Sequence, residues 1–386
     1  MSAIRFSPTE YAERRRRLAD RLRALNVDAV VVGDWRDLLY LTGYGGVTEL
    51  GPNPLGGVLS AVAVVDQDTH ATLLVPEPDH LQIPARADGV AVVAYPTFSE
   101  ETPVRPRARA ADAVARELQR IRTGTVTKLG FGGSGVSSGV IDRLRMLVQP
   151  ASLADLDHEL AALRMRKSAT EIAALRESIA LCDAAQAAVH DAADDGASQE
   201  ALSEMVRETV QRSAGGPLPI LLEVSWGPPP WAKSETTPLR EGDLLLTDIA
   251  PRLGDYWGDS CDTRPVGDVT PERRDVLDTV REALLTGTEA VRAGVATASV
   301  DAVMRERIAR DYPAYTGHGG HGLGLDYHES PRLVPSESTV LEEDMVLALE
   351  PGIYLEDACA RLEHIVRVTV DGCEILSKHL DLGRDP

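Results

Sequence analysis

The stretch "TGHGGHGLGLDYHESP" (316–331) sets His318, His321 and His328 among five glycines, in a chain with nine histidines in 386 residues. Imidazole at that density points to a metal, a proton or a reacting group, and glycine lets a backbone bend tightly around it. Gly-His segments also form plain surface loops, so the stretch alone leaves both readings open. Upstream, "GDLLLTDIAPRLGDYWGDSCDTRPVGD" (242–268) reads as two strands around a turn at Arg252–Asp255, where Gly254 tolerates positive φ. A hairpin centred between Leu253 and Gly254 sets Asp248 directly opposite Asp259 on one face of the sheet. Facing carboxylates repel unless something positive lies between them. Either a divalent cation bridges the pair, or the register is shifted and one of the two is exposed.

Two further acids lie in similar surroundings. Glu350 ends the apolar run "MVLALE" just before "PGIY". Glu363 sits in "ARLEHIVRVTVDG", where Leu362, Val366, Val368 and Val370 mark one strand face and Arg361, Glu363, Ile365 and Arg367 the other. His364 falls on the apolar face and reads as a packed residue. Cys261, two residues after Asp259, shares its strand face and reads as a small buried side chain near it. A glutamate at a strand end is ordinarily just solvated, so neither Glu350 nor Glu363 carries chemistry alone.

Taken together, Asp248, Asp259, His321, Glu350 and Glu363 resemble in order and spacing the five ligands of the pita-bread metallopeptidases, which include Xaa-Pro aminopeptidases, prolidases and methionine aminopeptidases. The aspartates sit eleven apart on a "D…GYxxD"-like hairpin, "HGLGLDYHESP" is similar to the family's "GHGIGxxxHExP", and "EPGIY" and "RLEH" supply the two glutamates. "DLLYLTGY" (37–44) and "RMRKSATEIAALRES" resemble segments of the prolidase and creatinase branch, so the likeness covers nearly the whole chain. The resemblance implies two divalent metal ions, Mn²⁺ first and Co²⁺, Fe²⁺ or Zn²⁺ as alternatives, in a hard, oxygen-rich site. It implies a metallohydrolase in which a metal-bridging hydroxide attacks the carbonyl of a C–N bond, with an Xaa-Pro dipeptide or short peptide as substrate. A second reading on the same fold is hydrolysis of a small non-peptide amide or amidine, as in creatinase-like or ectoine-hydrolase-like enzymes. A third is a non-catalytic binding module, against which unused, mutually repelling carboxylates weigh.

By the same resemblance His328 would face the reacting carbonyl, His318 would lie near the substrate, and Arg361 would share the site face. The chain also departs from the pattern. Peptidase members carry a histidine about seventeen residues before the first aspartate, where this loop, "SWGPPPWAKSETTPLREGD", has Trp231. Indole offers one N–H donor and no acceptor, so it cannot fully replace a neutral imidazole. Trp226 and Trp231 are expected to wall the substrate pocket, or else to belong to a rigid proline loop.

The elements that must position these residues are legible in outline. Helix-like "AERRRRLADRLRALN" and "AADAVARELQRI" alternate with strand-like "VDAVVVG", "GVLSAVAVV", "ATLLVP" and "GVAVVAYP", which predicts an α/β N-terminal domain over 1–155. Arg14 to Arg17 are expected on the solvated face of the first helix. An Ala/Leu-rich tract from about 153 predicts one or two helices, Ser198 caps another, and further helices fall near 271–292 and 299–310. With the hairpins, this predicts an α+β pita-bread catalytic domain over 156–386. A net charge of −20 argues against a nucleic-acid partner. No apolar run is long enough to span a bilayer, and "FGGSGVSSG" reads as a turn rather than a phosphate loop. Four cysteines without pairing motifs and no visible leader point to the cytoplasm, and the resemblance makes a homodimer the expected assembly.

Overall fold

The computed structural model describes residues 6–44, 62–77, 89–97, 99–101, 103–121, 126–132, 135–227 and 237–380. By internal contacts the chain divides into two compact units, Arg5–Leu163 and Arg164–Pro386. In the first, α1 (Pro8–Ala24) is followed by β1 (Ala29–Val32), α2 (Trp35–Thr42), β2 (Val62–Asp66), β3 (Ala71–Pro76) and β4 (Ala91–Tyr95). Then come α3 (Pro106–Ile121), β5 (Lys128–Phe131), α4 (Ser138–Val148) and β6 (Ser152–Asp155). The strands form one mixed sheet in the order β4-β3-β2-β1-β5-β6. Ala29, Val31, Leu74 and Leu129 of the sheet pack against Val114, Leu118, Val140 and Leu144 of α3 and α4.

The basic run of α1 differs from its expected solvated face. Arg14 and Arg15 are buried, donating to the carbonyls of Tyr40 (3.3 Å) and Leu41 (2.8 Å) in the last turn of α2. Carbonyls at a helix C-terminus lack intrahelical partners, and a guanidinium supplies both the donors and the charge they favour. Arg14 also lies over the rings of Phe6 and Tyr40. Only Arg16 stays fully at the surface, paired with Glu13 and Asp20.

Helix α5 (Asp157–Met165) leads into the second unit, and α6 (Ala169–Ala192) opens it with a reciprocal cap between Ser168 and Glu171. The Ala/Leu-rich tract is thus two helices, broken at residues 166–168. Helix α7 (Gln199–Ala214) starts at the expected Ser198 cap. There follow β7 (Ile220–Ser225), β8 (Leu244–Leu253), β9 (Tyr256–Trp257), β10 (Cys261–Pro265), α8 (Pro271–Ala290) and α9 (Thr297–Ile308). The chain continues with β11 (Gly320–Gly322), β12 (Glu329–Leu333), β13 (Val346–Leu349), β14 (Gly352–Tyr354), β15 (Cys359–Arg361), β16 (His364–Val368) and β17 (Cys373–Ile375).

Two larger sheets, beside the two-stranded β14-β15, carry this unit. One runs β10-β8-β7, with α6 and α7 packed on it through Leu181, Val206, Val210, Leu245 and Ile249. The other runs β12-β11-β13-β16-β17, with α8 and α9 on it through Val280, Leu284, Met304, Leu347 and Val366. No helix among the described residues is long and apolar enough to cross a membrane.

Two strand readings need correction. In the hairpin Leu253 pairs with Tyr256, so the turn is Gly254–Asp255 and the register moves by two: Asp248 lies opposite Cys261, not Asp259. Asp259 falls in the irregular piece between β9 and β10, where Gly258 presses so close to the α6 backbone at Ser178 that any Cβ would collide with it. The strand expected through Glu363 is also broken, at Leu362–Glu363: β15 pairs with β14, whereas β16 joins the larger sheet beside β13.

Candidate metal centre

The five acids and imidazoles reach the site from strands or from the short irregular pieces between them. Asp248 projects from the middle of β8. Asp259 is held by the Ser260 backbone N–H, which donates to its Oδ1 at 3.0 Å. Ser260 is in turn fixed by Gln186 of α6, whose amide donates to Ser260 Oγ (3.2 Å) and to the Thr247 carbonyl (3.2 Å). His321 is the centre of β11, and Glu350 follows directly on β13. Glu363 occupies the break between β15 and β16, where its N–H donates to the Cys261 carbonyl at 2.9 Å and so ties the two sheets together.

These side chains converge. One oxygen each from Asp259 and Glu363 and a ring nitrogen of His321 all lie within 4.8 Å of one another. His321 Nε2 is 3.6 Å from Asp259 Oδ2 and 3.2 Å from Glu350 Oε1. Its Nδ1 lies 3.0 Å from the Gly322 carbonyl, which can only accept, so Nδ1 carries a proton and Nε2 is the nitrogen turned to the carboxylates. Asp248 joins through Arg361, whose Nη2 donates to it at 2.6 Å while Nε lies 3.8 Å from Glu350.

The electrostatics are those of an undercharged cage. Burial, then the charges of Asp248 and Glu350, pushes the Asp259 carboxyl well above the usual carboxylate range. Burial together with Asp259 and Glu350 does the same to Glu363. Asp248 is raised too, by desolvation, with Arg361 opposing. Burial also works against ionisation of Glu350, but His318, His321 and Arg361 outweigh it and hold that carboxyl well below its ordinary value. Oε1 of Glu363 is buried without a hydrogen-bond partner. A buried carboxylate oxygen without a donor is costly, and divalent cations are the counter-charge that suits four carboxylates and one imidazole. The residues present therefore fit divalent metal ions.

The other predicted residues are placed as follows. His318 Nδ1 lies 3.3 Å from Glu350 Oε1, and the His318 and His328 rings are 5.2 Å apart. His321 and His328 are closer, at 4.0 Å between ring centroids. Burial, with His321 and Arg332 nearby, pushes the His328 pKa down to about 3, so its imidazole is neutral in ordinary buffers. His364 is packed, as expected, against Ser377. Cys261 is buried, its Sγ accepting from Arg361 Nε at 3.1 Å. Trp226 packs in the α6–α7 core with Leu181, Val210 and Leu239, away from the site cavities, and Trp231 lies outside the described residues.

Sequence reasoning missed several wall residues. Two adjoining cavities, of about 260 and 300 Å³, share Asp248, Tyr327, His328 and Glu350. Tyr315, Tyr354 and Arg361 line the first; Leu221, Glu223, Ala250, Asp259 and His321 line the second. Tyr354 accepts from Arg361 Nη1 at 3.1 Å, and burial raises its hydroxyl to about 12. Its place in "EPGIY", on the site side of Glu350, was the available signal. Glu223 had none.

A buried carboxylate–imidazole cage between two helix-backed sheets, with a small cavity on either side, defines the catalytic unit of a metallohydrolase. The chain belongs to metallopeptidase family M24, whose model matches residues 173–370, and the creatinase/prolidase N-terminal domain model matches residues 14–166. The Xaa-Pro dipeptidase of Pyrococcus furiosus is 27% identical over 335 residues, covering 85% of this chain and 89% of the relative. The probable dipeptidase PepE of Mycobacterium tuberculosis is 31% identical over 258 residues, 63% of this chain and 68% of the relative. Among solved structures, dipeptidase PepE from Mycobacterium ulcerans superposes with a TM-score of 0.80 at 24% identity, covering 97% of each chain. The prolidase from Pyrococcus horikoshii OT3 superposes at 0.78 and 22% identity, covering 95% of this chain and 99% of the other. These superpositions bear out the two-domain pita-bread fold.

Proposed function

We propose that the protein is an Xaa-Pro dipeptidase or aminopeptidase working through two divalent ions held by Asp248, Asp259, His321, Glu350 and Glu363. The observation that carries this reading is the cage itself: four carboxylates around one imidazole whose Nδ1 is anchored on the Gly322 carbonyl, with a buried Glu363 oxygen that lacks a donor. Bound there, the ions supply an activated water and an electrophile that polarises the scissile carbonyl. The chain's own groups do the rest. Neutral His328, lining both cavities, donates a hydrogen bond to the carbonyl oxygen as negative charge develops on it. Glu350, which lines both cavities, is the cage carboxylate placed to accept the proton lost by the attacking water. Arg361, with Tyr354 fixing its Nη1, keeps Asp248 aligned and carries positive charge to the wall that receives the substrate's far end.

Cavities of this size lie at the small end of the range of about 300–1,000 Å³ for small-molecule sites, which suits a dipeptide better than a long chain. Manganese, a cytoplasmic setting and a homodimer complete the reading; the four free cysteines support a reducing compartment. The test is metal analysis after Mn²⁺ reconstitution, followed by hydrolysis of Xaa-Pro dipeptides and longer X-Pro peptides. Two ions per chain with metal-dependent cleavage are expected, and Asp259→Asn should abolish both. Stoichiometric metal without peptide cleavage would transfer the assignment to a small non-peptide amide, and full turnover by Asp259→Asn would overturn the ligand set.

A further inference from the structure

The cavity on the β7 side has a floor made of two cross-strand pairs on one sheet face, Leu221 opposite Ala250 and Glu223 opposite Asp248. All four residues line it, together with Tyr327 and the cage residues Asp259, His321 and Glu350. Glu223 stands one strand further from the cage than Asp248 and is 32% exposed. Its Oε1 lies 3.3 Å from Ser225 Oγ, and its Oε2 lies 3.3 Å from Arg361 Nη2, the nitrogen that reaches Asp248 at 2.6 Å. One guanidinium nitrogen thus serves two carboxylates and favours the one in the cage. The cage already has its four carboxylates, so Glu223 is a fifth acid that metal binding does not require.

We propose that Glu223 is a specificity-determining residue, selecting substrates whose residue before the cleaved bond carries a basic side chain. This rests on the reading of the cage as a hydrolytic centre. An aliphatic stem would lie along Leu221 and Ala250, and its terminal ammonium or guanidinium would meet the Glu223 carboxylate in a charge-assisted pair. A neutral side chain of the same length would strip water from that carboxylate and give no charge in return, so selection works as much by penalty as by attraction. The α-amino group is common to every dipeptide and cannot set this preference.

The test compares L-lysine with L-norleucine, which differ only in the terminal ammonium, by calorimetric binding to the Mn²⁺-reconstituted protein and to the metal-stripped protein. Lysine should bind at least about tenfold more tightly than norleucine in both. Glu223→Leu should remove or reverse the preference, and Glu223→Gln should reduce it to within about threefold. Norleucine binding as tight as in the native protein, or tighter, marks the variants as folded. The ratio of kcat/KM for Lys-Pro over norleucyl-Pro should fall in parallel. Equal binding by the native protein, or a preference that survives Glu223→Leu, overturns the proposal. Lysine preference without any dipeptide cleavage would sink the hydrolytic reading and leave the cation site standing; dipeptide cleavage with no such preference would do the opposite.

Discussion

At the scale of the residue, the cage stores repulsion that metal relieves. Asp259 and Glu363 have carboxyls raised above unfolded values of about 3.9 and 4.3. Between the unfolded and folded values the native chain holds more protons than the unfolded one, so stability falls as pH rises. Metal-stripped protein is therefore expected to melt higher near about pH 5 than near about pH 7.5, and calorimetry across that range checks it. Glu350 and Glu329, held low, act only below their unfolded values and leave this window untouched. Asp259→Asn should raise the metal-free melting temperature at neutral pH by a few degrees, about 2–4 °C for each kcal/mol relieved, while destroying metal binding. A lower midpoint for that variant would contradict the repulsion. His328→Ala should lower kcat by about 10²–10³ with metal content intact, which steady-state kinetics and metal analysis read together.

At the scale of the element, the His328 turn is anchored from beneath by Glu329. Its buried carboxylate accepts from Lys167 Nζ (3.0 Å) and from the backbone N–H groups of Leu325 (3.1 Å) and Asp326 (3.3 Å), with Arg164 at 3.4 Å. Lys167→Met leaves that charge short of its main partner, and a loss of about 3–5 kcal/mol in denaturant unfolding is expected. The five cage residues were legible only together, through the family resemblance of their order and spacing, which survives even when register is misjudged. The aspartate pair shows the difference. Their direct opposition was misread, because the turn at Gly254–Asp255 shifts the register and α6 presses on Gly258. Arg14 and Arg15 were misread for a similar reason, since a helical wheel shows no carbonyls from a later helix. Glu223 was invisible as a lone acid in an apolar strand until β8 placed it beside Asp248.

At the scale of the whole molecule, each unit has its own sheets and apolar packing, and the predicted ligands belong to only one of them. Mn²⁺ should therefore raise the melting of the Arg164–Pro386 unit by mass action, RT ln(1 + [L]/Kd), and leave a transition of the first unit where it was. Scanning calorimetry with and without metal checks this, and equal shifts of both transitions would count against it. Within the catalytic unit, Asp248 and Asp259 come from one sheet and His321, Glu350 and Glu363 from the other, with the Glu363 amide bonded to the Cys261 carbonyl between them. A shared ion would rivet the two layers as a crosslink does, so chelation would free each to fray from its neighbour. The Glu363 amide proton, trapped at that seam, would then trade for deuterium far faster.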